Sequence, residues 1–149
     1  MLFRSFYFCI WLIVGLYQVN EKVVKGGDDV TVVAWSAMVS TAIEAAEELK
    51  KDNISVEIVD LRTIFPLDEE IILKSIEKTS NLVILQEDVP FSSIASEVSS
   101  VVAEKGFWNL DNPIKKVTSP NTHIPFAPIL EDAFIPSAEN LIKAIKELQ

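Results

Sequence analysis

Residues 27–66, GDDVTVVAWSAMVSTAIEAAEELKKDNISVEIVDLRTIFP, carry one complete strand, helix and strand unit. Val30, Thr31, Val32, Val33 and Ala34 form a β-branched run behind the Gly26-Gly27-Asp28-Asp29 turn cluster. Uninterrupted runs of this kind belong to strands buried on both faces of a parallel sheet. Trp35 and Ser36 end it. From Met38 to Lys51 the apolar residues Val39, Ala42, Ile43, Ala46 and Leu49 recur at helical spacing, with Glu44, Glu47, Glu48, Lys50 and Lys51 opposite. This spacing predicts an amphipathic helix with one buried face. Asp52 and Asn53 break it, and Val56, Ile58 and Val59 supply a second strand, so the connection is a right-handed crossover between parallel strands.

Working outward, the alternation continues. Asp68 is placed to cap a helix after Pro66, with Ile71, Ile72, Leu73 and Ile76 as its apolar stripe, and Leu82-Val83-Ile84-Leu85 is a third strand ending at Gln86-Glu87-Asp88. Ser92 or Ser93 opens another helix that carries Ile94, Val98, Val101 and Val102 inward until Gly106 stops it. Residues 114–118 form a short fourth strand, a loop punctuated by prolines runs from Pro120 to Pro136, and Ser137 caps a last helix bearing Leu141, Ile142, Ile145 and Leu148. Helices between short strands predict the α/β class, a three-layer αβα sandwich on a mostly parallel sheet.

Composition bounds this to one domain, because 149 residues with 49% apolar content suffice for a single core. Its expected span is residues 21–149. Twenty-two acidic against 13 basic residues give a net charge of -9, which argues against nonspecific nucleic-acid binding and suits a basic protein partner, or simply solubility. Cys9 is the sole cysteine, so neither an internal disulfide nor a thiolate zinc site can form. Residues 1–20 stand outside the pattern. Phe6 to Tyr17, FYFCIWLIVGLY, is an apolar run too short to span a bilayer comfortably as a helix of about 20 residues. No Ala-x-Ala-like cleavage site follows it. The segment is expected to precede the domain without sharing its fold; a signal core or short anchor is the alternative, and membrane association of the domain itself is not expected.

The search for chemistry returns little. His123 is the only histidine and sits in the proline loop, with no second His or Cys in the domain to join it in a metal site or nucleophilic dyad. No GxGxxG and no phosphate-binding Gly-Lys-Ser/Thr occurs. Glu87 and Asp88 lie at the carboxyl end of the third strand, where ligands of open α/β sheets bind; the competing reading is turn and cap residues. Arg62 could grip a carboxylate or phosphate, against an internal ion pair with Asp60 or Glu87 that fixes the loop. No residue is assigned a catalytic, cofactor-binding or metal-binding role.

GDDVTVVAWSAMV, EAAEELKKDNISVEIVDLRTIFPLDEEII, NLVILQED, ASEVSSVVAE and NLDNPIKKVTSPNTHIPFAPILEDAFIP together resemble the C-terminal domain of transketolase-like thiamine diphosphate enzymes. Within them the chain is most similar to the β subunit of the decarboxylating component of 2-oxo acid dehydrogenase complexes. The resemblance runs from about Glu21 to Gln149. Its most specific pieces are Asp60-Leu61-Arg62-Thr63 with Pro66-Leu67-Asp68, then Glu87, then Pro125-Phe126 and Glu131. These are expected to be family-signature or interface positions. Leu2-Phe3-Arg4-Ser5 is faintly similar to the linker before the domain, as though the chain starts in that linker and then runs through foreign sequence.

Two departures stand out. Phe91-Ser92-Ser93-Ile94 replaces the family's usual Gly-Gly-Phe turn, so the turn is expected to take another shape without glycine's freedom for positive φ. Asn121-Thr122-His123 replaces an Asp-Thr-Pro step, losing a charge and a rigid φ. The resemblance implies that the parent enzyme uses thiamine diphosphate with magnesium, bound by two other domains, to act on pyruvate, a branched-chain 2-oxo acid or acetoin, the 2-oxo acids being oxidatively decarboxylated. A chain without those domains binds no cofactor alone and serves assembly. The implied partners are a second β subunit, an α subunit and the dihydrolipoyl acyltransferase core, in the cytoplasm or alternatively the mitochondrial matrix. The rival readings are the tail of a transketolase or deoxyxylulose-phosphate synthase, and a free-standing interaction module.

Overall fold

The computed structural model describes residues 21–148, so the expectations for residues 1–20 lie outside the described residues. In chain order the elements are β1 (Lys22–Lys25), β2 (Val30–Ala34), α1 (Met38–Leu49), β3 (Val56–Asp60), α2 (Glu69–Thr79), β4 (Leu82–Leu85), α3 (Ile94–Lys105), β5 (Lys115–Val117), α4 (Pro128–Phe134) and α5 (Ala138–Lys146), with single 3-10 turns at Lys50–Asp52 and Phe107–Asn109. The sheet order is β1-β3-β2-β4-β5; β1 runs antiparallel to β3 and the other pairs are parallel.

The register explains the sandwich. Val32 lies opposite both Ile58 and Val83, and Val33 opposite both Val59 and Ile84. Because side chains alternate across a strand, each row of partners shares a face. Val30, Val32, Ala34, Ile58, Val83 and Leu85 meet Ala42, Ala46 and Leu49 of α1 and Leu141 and Ile145 of α5. Val33, Val59, Leu82 and Ile84 meet Ile72 and Ile76 of α2 and Val98 and Val102 of α3 on the other face. β2, β3 and β4 are therefore covered on both sides, as their continuous apolar runs require.

Local signals explain most boundaries. Asp68 caps α2 by accepting the Ile71 N–H at 3.3 Å, and Ser137 forms a reciprocal capping box with Asn140 on α5. The first helix stops at Leu49, passes through one 3-10 turn, and ends at Asn53 with φ 61°. Gly106 does stop α3, but with φ -119° it makes no left-handed cap; a Cβ there would stand 2.9 Å from Leu73 Cδ2, so the glycine serves close packing. Ser93 opens α3 without capping it, its hydroxyl donating instead to the Pro90 carbonyl at 3.3 Å. Ser92 holds φ 50°, so the left-handed step expected to vanish with the glycines is kept by serine, at a cost of about 1–2 kcal/mol. Two elements were not foreseen from the sequence: β1, and α4 inside the proline loop. β1 and β5 form the outer edges, and both are short and lysine-bearing, KVVK and KKV.

Candidate functional site

Parallel strands send their carboxyl ends to one edge of the sheet, so the loops after β3, β4 and β5 emerge together. All eight sequence-selected residues lie on those loops or at their ends. At the end of β3, Asp60 Oδ2 accepts from Arg62 Nε at 3.5 Å, a long ion pair on an exposed arginine side chain. A cis peptide joins Phe65 to Pro66, and Asp68 closes the loop as the cap of α2. The Glu87 side chain is exposed, while its carbonyl accepts the Ser119 hydroxyl at 2.9 Å. Pro125 is half-buried, Phe126 is 103% exposed, and Glu131 sits exposed in the first turn of α4. The structure thus brings Asp60 and Arg62 into contact and leaves Glu87 and Glu131 as separate exposed carboxylates.

A buried glutamine underpins this edge. Gln86 is 1% exposed; its amide nitrogen donates to the carbonyls of Asp88 and Val89 at 3.2 and 2.9 Å, and its amide oxygen accepts the Ala95 N–H at 3.0 Å. One side chain therefore fixes the loop after β4 to the start of α3. The loops then present apolar rings to solvent: Phe65, Phe91, Phe126 and Ile129 are 78% exposed or more. That is an unusual concentration at one edge of a domain with net charge -9.

The opposite edge holds a second surface. Phe107 and Trp108 follow Gly106 and pack edge to face, with centroids 5.2 Å apart at 80°. Trp108 is 93% exposed and lines an open groove together with Ala103, Leu110, Asp111, Pro113 and Ile114. Asn112 anchors the groove by donating to Asn81 Oδ1 at 2.9 Å and to the Leu148 carbonyl at 3.1 Å. The sequence reading missed this ledge, although an aromatic pair just beyond a helix-ending glycine, off the apolar stripe, was a usable signal.

Among the described residues no group of three His, Cys, Asp or Glu side chains could hold a metal ion, and His123 is exposed in its loop. No described helix is long and apolar enough to cross a membrane. One titratable group stands apart: burial, partly offset by the Asp68 N–H and reinforced by the charges of Asp68 and Asp60, pushes the Glu21 carboxyl up to about 7.

Comparison with known proteins now bears on this geometry. The family described as Transketolase, C-terminal domain, matches residues 20–141. The chain belongs to this family. The transketolase C-terminal domain here is 44% identical over 124 residues to the acetoin:2,6-dichlorophenolindophenol oxidoreductase subunit beta of Bacillus subtilis, covering 83% of the chain and 36% of the relative. It is 39% identical over 129 residues to the pyruvate dehydrogenase E1 component subunit beta of Rickettsia felis, covering 87% and 40%. Among solved structures it superposes with TM-score 0.75 on a split gene transketolase, inactive beta4 tetramer, at 27% identity, covering 87% of this chain and 41% of that one. The chain therefore spans about two fifths of the relatives it matches, and β-type subunits are its sequence kin.

Proposed function

We propose that the chain is the assembly domain of a 2-oxo acid dehydrogenase decarboxylating-component β subunit, silent in catalysis when alone. The observation that carries this reading is the pairing of two exposed apolar surfaces, one at each edge of the sheet. The apolar rings at the carboxyl edge fit burial against a second β subunit and an α subunit. At the opposite edge Trp108, Phe107 and the Asp111 carboxylate offer a cation both a π face and a counter-charge. That chemistry fits the basic subunit-binding module of a dihydrolipoyl acyltransferase.

In the parent reaction, oxidative decarboxylation of pyruvate or a branched-chain 2-oxo acid with acyl transfer to lipoyl, thiamine diphosphate with magnesium supplies the carbanion chemistry. The described residues do not fit that group, since they offer no set of metal ligands and Arg62 is paired with Asp60. The higher identity to β subunits than to the split transketolase favours the dehydrogenase over the transketolase reading. Cytoplasm is the matching compartment for a bacterial relative, and the mitochondrial matrix is the alternative.

Sedimentation of the full chain with a purified acyltransferase subunit-binding module tests the assignment. Binding that weakens about 30-fold in Trp108→Ala, the loss of about 2 kcal/mol usual for a central aromatic anchor, supports it. Absence of binding to both the module and an α subunit sinks it. Calorimetric titration with thiamine diphosphate and magnesium should give no heat of binding, and tight binding by this chain alone would end the claim of silence.

A further inference from the structure

Glu21 is the one described residue with a buried side-chain oxygen, Oε2, that lacks any hydrogen-bond partner. The residue is 6% exposed. Its other oxygen, Oε1, accepts the N–H of Asp68 at 3.1 Å, across 47 positions of sequence. The next residue, Lys22, pairs with Asp60 in the sheet. Glu21 therefore stands where the start of β1, the end of β3 and the cap of α2 converge: it is bonded to the Asp68 end of loop 61–67, which presents Ile64 and Phe65, while its neighbour Lys22 pairs with the Asp60 end.

The charges around it share one sign. Asp68, from the cap of α2, and Asp60, from β3, are the charged groups that act on it. Arg62 is the cation of this loop, and it reaches Asp60 at 3.5 Å. A buried carboxylate with one unpartnered oxygen and two further carboxylates acting on it is costly to ionise, whereas the neutral acid carries no charge; the Asp68 N–H, which favours the ionised form, offsets this only in part. We propose that Glu21 is a proton-operated latch: the neutral acid is tolerated in its buried place and keeps loop 61–67 closed on β1, and loss of the proton to solvent sets a buried anion against Asp60 and Asp68 and loosens the loop. Burial and the two carboxylates raise the carboxyl to about 7, which puts the transition at physiological pH. The latch is a property of the domain itself and does not depend on which partner meets the loop.

Nuclear magnetic resonance of the full chain, with carbon-13 in the glutamate carboxyls, tests it. The Glu21 carboxyl carbon is expected to titrate at about 7 instead of the ordinary 4.5. The Asp68 amide proton should shift with the same midpoint, and exchange of the loop amides should rise above its intrinsic pH dependence. Glu21→Gln, neutral at every pH, should remove the step from Asp68 and leave only the intrinsic dependence. A Glu21 midpoint near 4.5, or an Asp68 step that persists in Glu21→Gln, overturns the proposal. Should the variant fail to fold, the unaltered chain decides alone: coincident midpoints support the latch, and a carboxyl titrating near 7 while Asp68 stays still overturns it.

Discussion

At the scale of single residues, polar side chains decide more than their number suggests. Thr31 lies within an otherwise apolar strand, yet its hydroxyl bonds those of Ser75 and Thr79, both at 2.7 Å, while Ser75 also donates to Glu57 Oε1 at 2.6 Å. Lys78 completes the cluster at 2.8 Å from Glu57 Oε2 and 3.1 Å from Asp28. Lys78→Met leaves the 6% exposed Glu57 without its cation and should cost about 1–3 kcal/mol in urea unfolding. Glu21 sets a pH dependence whose sign is opposite to the usual carboxylate. Its folded value of about 7 exceeds the ordinary 4.5, so folding binds a proton and stability falls as pH rises between those values, by up to about 3 kcal/mol. Glu21→Gln should flatten that slope in denaturant titrations at pH 5 and 8. The Asp68 and Ser137 caps were legible because capping is a local rule. The Glu21 contact was not, because it joins positions 47 apart through a backbone N–H that no side-chain pattern announces.

At the scale of elements, the two ordered glycines with close neighbours separate flexible from rigid packing. A Cβ on Gly27 would lie 2.2 Å from the Val56 carbonyl carbon, whereas one on Gly106 would come close to the end of the Leu73 side chain at 2.9 Å and meet Val102 at ordinary contact distance, 3.4 Å and beyond. Gly27→Ala should therefore displace the start of β3 and destabilise by about 3 kcal/mol or more, and Gly106→Ala by about 1 kcal/mol, as read from paired thermal unfolding curves. Strands β2, β3 and β4 and helices α1, α2, α3 and α5 could be read from periodicity because each has a face that must be buried. β1 could not, since a half-exposed KVVK segment acquires its strand character only by pairing with β3. α4 escaped because its seven residues follow a run of prolines and bury only Phe134. Asp68 as a cap and Asp60 with Arg62 as an ion pair were readable from local rules, and the structure has both contacts; only their standing as signature positions came from resemblance.

At the scale of the whole molecule, one continuous sheet with a helical layer on each face predicts cooperative unfolding. Leu141, fully buried between α5 and the sheet, should cost about 2–5 kcal/mol when replaced by Ala, with circular dichroism and tryptophan fluorescence changing in a single shared transition. The sandwich was readable because strand and helix alternate with short connections. The surfaces were not, because exposed rings such as Phe65, Phe91 and Trp108 look like core residues in a one-dimensional string. The sheet's outer strands carry a final consequence. Both are brief and studded with lysine, so neither offers a clean template on which another chain could lay a β-strand. Growth by strand addition, the route to fibres, is discouraged at both flanks. Flanks closed to strand addition leave the loop-bearing ends of the sheet as the faces open to contact.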